Sequence, residues 1–162
     1  MYYNIFSTKD TWIITGSNPL TGDDYSDINN GQDQILELKK HFYNETFDHQ
    51  TRILTSFSGT DLTAISSSIS DGTIKNPKWY LRLYEAEGTQ ELSSDYIIAA
   101  YAISQSWDEG VGKVGASPKI TNGVSWKYRN NYPGATAVDW VDVGVSITSA
   151  SKYVNSQSFS NE

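Results

Sequence analysis

Apolar and polar residues alternate along this chain in short runs, separated by clusters of Gly, Asn, Asp and Ser. This is the pattern of strands joined by turns. Tyr2–Phe6 and Thr11–Thr15 predict two opening strands, with a turn at Ser7–Asp10 between them. Residues 16–31 (GSNPLTGDDYSDINNG) are turn formers with almost nothing to bury and predict a surface loop. Gln34–Lys40 alternates too briefly to separate a strand from a helical turn. His41–Gln50 reads as a polar connection leading into a strand at Arg52–Phe57. Four further strands are predicted. Trp79–Ala86 sets Leu81 and Leu83 on one face and Tyr80, Arg82 and Tyr84 on the other. Tyr96–Ile103 is apolar on both faces, as a central, covered strand is. Val124–Tyr128 and Trp140–Ile147 complete the set.

One segment breaks the period of two. Leu62, Ile65 and Ile69 stand at i, i+3 and i+7, which predicts a short helix near Asp61–Ile69, with Thr60 or Asp61 as its N-cap. Asn76–Pro77 then interrupts the chain before the next strand. No internal repeat or domain boundary is visible, so residues 1–147 read as one antiparallel β-sandwich. Residues 148–162 carry too little apolar surface to order themselves and read as a polar C-terminal tail, mobile or bound by a partner.

Composition agrees with the pattern. Aromatic residues make up 13% of the 162, including 11 Tyr and 5 Trp, and charged residues only 19%, a balance that suits half-buried strands rather than helices. The net charge of −7 argues against nucleic acid and against an anionic membrane as partners, since both draw affinity from a basic surface. The absence of cysteine excludes disulfides, thiolate metal sites and a cysteine nucleophile. Neither a secretory leader nor an apolar run near the roughly 20 residues of a membrane span is seen, and the expectation is a chain made and used without Sec export.

Candidate chemistry is sparse. The two histidines, His41 and His49, share one polar connection, and no serine sits in a nucleophile-elbow context. Gly110 and Gly112 match no phosphate-cradling pattern. Asp108 and Glu109 lie beside Trp107, but neighbouring residues point to opposite sides and do not flank one sugar ring, so their expected role is to orient a loop. The reading is therefore not an enzyme. Asp23, Asp24 and Asp27 offer hard oxygen ligands of the kind calcium accepts, without the EF-hand spacing. Trp126, Tyr128, Tyr132 and Trp140 crowd the C-terminal third and are the candidates for a carbohydrate platform; core packing is the alternative for such aromatics.

Asp10–Ile13 (DTWI), Arg52–Phe57 (RILTSF), Leu81–Tyr84 (LRLY), Ser106–Gly110 (SWDEG) and Val124–Trp126 (VSW) occur in the order of the DNRLRE-type module, which this chain resembles from about Tyr2 to Trp140. The version with NNGQDQILEL and TNGVSWKYR is similar to virion structural proteins of tailed bacteriophages. The resemblance implies a jelly-roll sandwich related to carbohydrate-binding modules. It implies a structural protein of the capsid, neck, tail or fibre, located in the virion and working in homo- or hetero-oligomeric assembly with other virion proteins. A carbohydrate-binding module on a phage fibre or surface protein, with glycan as partner, is the alternative. The module ordinarily continues past a segment like Asn155–Phe159 into a helix-like motif and a final strand pair, whereas this sequence ends at Glu162. The expectation is a truncated module, a longer parent protein, or strands supplied by another subunit.

Overall fold

The computed structural model describes residues 2–17, 22–43, 46–84, 86, 96–142, 144–145 and 155–159. Its elements are β1 (Ser7–Ile14), β2 (Lys40–Tyr43), β3 (Thr46–Phe57), α1 (Gly59–Ser70), β4 (Tyr96–Ala100), β5 (Tyr128–Asn130), β6 (Val138–Asp139) and β7 (Asn155–Phe159). They form three small antiparallel sheets: β1-β3-β2, β4-β7 and β5-β6. The protein is β-rich with one short helix, as the alternation predicts.

The core is built on the β1–β3 ladder. Thr11 pairs with Leu54 and Ile13 with Arg52, so these four share one face of the sheet. Ile13 and Leu54 pack there with Trp107, Val124 and Trp140, and Ile103, Trp126 and Val145 close around them. Trp12 and Ile14 point to the opposite face and are buried as well, so the end of β1 is covered on both sides. The Trp12 indole N–H donates to Asp33 Oδ2 at 2.9 Å, which satisfies its one polar atom.

The helix starts earlier than its hydrophobic spacing predicts. Ser58, not Thr60 or Asp61, is the N-cap, and its hydroxyl accepts from the Asp61 N–H at 3.3 Å. Ile65 is buried while Leu62 is exposed, so α1 offers only a narrow stripe to the body. Asp71 caps the other end, where its N–H reaches the Ser67 and Ile69 carbonyls.

Several predicted strands are placed differently. The Ser7–Asp10 turn lies inside β1, while Tyr2–Phe6 has no ladder among the described residues and carries exposed Tyr2, Tyr3 and Phe6. The expected polar connection His41–Gln50 is the hairpin of β2 and β3, because ladder bonds need only backbone donors and acceptors. The same reason corrects the expected tail: within it, β7 pairs with β4 from Tyr96↔Phe159 to Ala100↔Asn155. Residues 148–154 and 160–162 lie outside the described residues. β4 is accordingly half of a two-stranded sheet with Ile97 exposed, not a covered central strand. Of the strand expected at Trp140–Ile147, the described residues 140–142 and 144–145 form a turn, the Val145 N–H donating to the Asp142 carbonyl at 3.0 Å, and residues 143, 146 and 147 lie outside the described residues. Trp79–Tyr84, predicted as a strand, is neither strand nor helix and has no ladder partner among the described residues, and Glu85 lies outside them.

Truncating Ile13 removes methyl groups from a site closed on every side, whereas truncating Leu62 removes them from a solvated helix face. Ile13→Ala is expected to lower unfolding free energy by about 2–5 kcal/mol and Leu62→Ala by about 0.5 kcal/mol or less. Urea denaturation followed by tryptophan fluorescence measures both.

Candidate functional site

The predicted surface loop at residues 16–31 turns inward at its end. Asn29 is 0% exposed, and its carboxamide is bonded on both sides. Nδ2 donates to the carbonyls of Glu109 and Val124, each at 2.7 Å. Oδ1 accepts from the N–H groups of Gly112 at 2.7 Å and Gly31 at 3.2 Å. The Asn29 N–H also donates to the Ile120 carbonyl at 3.0 Å. One side chain thereby ties the SWDEG segment to the VSW segment and holds the loop Gly112–Ile120 beside them. The contact is too close for side chains on its partners: a Cβ at Gly112 would strike the Asn29 backbone, and one at Gly110, where φ is +84°, would strike the Asn29 carboxamide and the Asn122 carbonyl. Sequence reasoning placed these residues in turns and missed this role, although Asn-Asn-Gly together with Gly110, Gly112 and Gly123 was its signal.

The neighbouring carboxylates are engaged with protein groups. Glu109 Oε1 accepts from the Asp10 N–H at 2.9 Å. Asp108 Oδ2 accepts from Asn130 Nδ2 at 2.6 Å, with Lys9 Nζ 4.0 Å from its other oxygen. Trp107 lies in the core, and the Lys9 ammonium stands 5.8 Å from its ring centroid. Asp33, also unremarked in the sequence, accepts from both Trp12 and the Val114 N–H. His49 Nε2 lies 2.7 Å from the Ser17 carbonyl.

The four candidate sugar-contacting aromatics lie near one another along the chain but do not present one flat surface. Trp140 is 3% exposed and its indole donates to the Ser125 carbonyl at 2.9 Å, so it belongs to the core and offers no face to a sugar. Trp126 carries the Arg52 guanidinium over its ring at 4.7 Å. Arg52 Nη1 also donates to the carbonyls of Gly144 and Val145, and the arginine thus clamps a turn in which Val145 has φ of 58°. Burial pushes the Arg52 guanidinium below its ordinary value, opposed by Tyr101. Tyr128 is half-buried in β5 opposite Asp139. Tyr132, 38% exposed, sits in the turn closed by the Ala135 N–H.

The calcium candidate is corrected by two lysines. Asp24 Oδ2 accepts from Lys127 Nζ at 2.5 Å, and Asp27 Oδ1 from Lys119 Nζ at 2.8 Å. Asp24 Oδ1 is occupied by the N–H and hydroxyl of Ser26. Among the described residues no three His, Asp or Glu side chains are grouped to hold an ion. A calcium site needs about six to eight oxygens, and here ammonium groups take the carboxylates of Asp24 and Asp27, with Asp23 exposed next to them in the chain. The Lys127 bond, followed by those from Ser26, holds the Asp24 carboxyl far below the usual carboxylate range, and Lys127 is raised in turn.

A different surface stands out on the same molecule. Trp79, Tyr80, Leu81, Leu83 and Tyr84 are between 53 and 85% exposed in one short stretch of chain. Comparison of the chain with protein-family models, with curated proteins and with solved structures finds no match.

Asn29→Asp keeps the shape but turns an oxygen toward two carbonyls and puts an acid in a buried site. A loss of about 2–6 kcal/mol is expected, one to three for each abandoned bond, with Gln32→Ala as a surface control near zero; chemical denaturation reads it. Asp24 is ionised above its ordinary value of 3.8 in either state, so the stability it lends is present above that pH and is lost as pH falls through its lower folded value. Asp24→Asn is therefore expected to cost about 1 kcal/mol or less at neutral pH, the pair being largely exposed, and to flatten the fall in Tm below about pH 4. Thermal unfolding across a pH series checks this.

Proposed function

We propose that this chain is a non-enzymatic structural protein of a tailed-bacteriophage virion, a jelly-roll module that works through protein–protein interfaces. The order of the DTWI, RILTSF, LRLY, SWDEG and VSW segments supports this reading. So does their arrangement: Ile13, Leu54, Trp107 and Val124, one from each of four of those segments, meet in a single core. The observation that carries it is the fifth segment. LRLY and its flanking Trp79 and Tyr80 lie exposed, and contiguous apolar surface of this kind on a folded protein marks an interaction site. Sandwich proteins that assemble use such surface, because burying it between subunits recovers the hydrophobic free energy that folding left aside.

Mass spectrometry of purified particles of the encoding phage is expected to find the chain at a copy number matching a capsid, neck or tail symmetry. Its absence from washed particles would overturn the reading.

A further inference from the structure

Arg52 is a charge without a counter-charge. It stands half-buried on the core face of the β1–β3 ladder, opposite Ile13 and on the same face as Leu54. It forms no ion pair among the described residues, although the chain has a net charge of −7 and Asp142 begins the turn that Arg52 grips. Among those residues the ionisable group that acts against the effect of burial on its charge is the phenol of Tyr101, not a carboxylate. A cation taken out of water ordinarily pairs, because desolvation without a partner is costly.

The guanidinium is also held in place. Nη1 donates to the carbonyls of Gly144 and Val145, and the guanidinium carbon lies 4.7 Å from the Trp126 ring centroid. Trp126 is backed by Gly144, where φ is +69° and an added Cβ would collide with the indole. Val145 takes a φ of 58°, a costly conformation for a β-branched residue, and its carbonyl reaches Nη1. These contacts fix the group but cancel none of its charge. They leave the Nε–H and both Nη2 hydrogens without an acceptor among the described residues. That edge of a guanidinium offers parallel N–H bonds at the spacing of two carboxylate oxygens.

We propose that the Nε–Nη2 edge of Arg52 is a binding site for a carboxylate that the described residues do not supply, either an acidic side chain of another protein or a free carboxylate anion. One carboxylate cancels one guanidinium, with both oxygens in the fork. Phosphate fits the fork as well, but it brings more than one charge to a single cation in an acidic chain. A polyanion needs a row of basic groups, whereas Arg52 is in contact with two carbonyls and an indole. The site goes beyond the virion reading and stands or falls apart from it.

The test titrates the full chain while following the Arg52 Nε–H resonance by NMR. The probes are acetate, a capped Gly-Glu-Gly peptide and its Gly-Gln-Gly isostere, which changes the ligand and leaves the protein intact. The Glu peptide is expected to shift the resonance saturably, and the Gln peptide to bind about tenfold more weakly or less, as the loss of charge-assisted hydrogen bonds requires. Arg52→Lys keeps the charge and loses the fork, and is expected to weaken binding of the Glu peptide by about tenfold; if that variant does not fold, the comparison of the two peptides decides. Acetate bound as tightly as the Glu peptide supports the site with a free anion as its ligand, and tighter binding of the peptide supports it with a protein side chain. Equal response to the Gln peptide, no response to either carboxylate, or a folded Arg52→Lys that binds as the wild type does overturns the proposal. So does inorganic phosphate that binds more tightly than acetate. An Nε–H already protected from exchange in the free chain also overturns it, since an acid of the chain itself would then occupy the edge.

Discussion

The fold depends on the buried carboxamide of Asn29. Its amide presents two donors and its oxygen accepts twice, and all of that capacity is met by four backbone groups: Gly31 beside it, and Glu109, Gly112 and Val124 from 80 to 95 residues away. In a low-dielectric interior each such bond is strong and each missing one is expensive, so a fully satisfied carboxamide fixes geometry more sharply than an apolar contact of equal size. The fit extends to the backbone around it. Gly31, Gly110, Gly112 and Gly123 approach so closely that a methyl group at any of them would collide with main chain.

That node explains how a molecule with short strands keeps an ordered interior. Regular ladders organise β1, β2 and β3, but Trp107 and Val124, which complete the core, come from segments outside the strands. Asn29 holds these segments together, and Glu109, accepting from the Asp10 N–H, and Asn30, donating to the Trp12 carbonyl, tie them to β1. Arg52 does related work at the far edge of the same sheet face: it lies over Trp126 and grips two carbonyls of a turn containing a β-branched residue at positive φ. Polar side chains here replace the ladder bonds that a longer strand would make.

The outer surface follows a different logic. Asp24 and Asp27 are spent on Lys127 and Lys119, which join residues 22–27 to the segment Lys119–Lys127. Trp79–Tyr84 adds a run of exposed apolar side chains beside Lys78 and Arg82.

What the sequence determined is what depends on neighbours along the chain. Alternation at Thr11–Ile14 and Arg52–Phe57, the helical spacing of Leu62, Ile65 and Ile69, and the excess of strand formers make the β-rich class and the single helix legible. The LRLY alternation is equally plain, but whether a strand finds a partner is not a local property, and here the structure leaves it exposed. Polar β2 and β7 escaped the same reading because a ladder is made by backbone groups that every residue carries. Only the tertiary structure decided that Trp140 is core rather than platform, that lysines take the carboxylates of Asp24 and Asp27, and that Asn29 is interior. Each of those outcomes depends on groups brought together from 15 to 103 residues away, and a side chain's polarity alone does not say whether water or the protein will satisfy it.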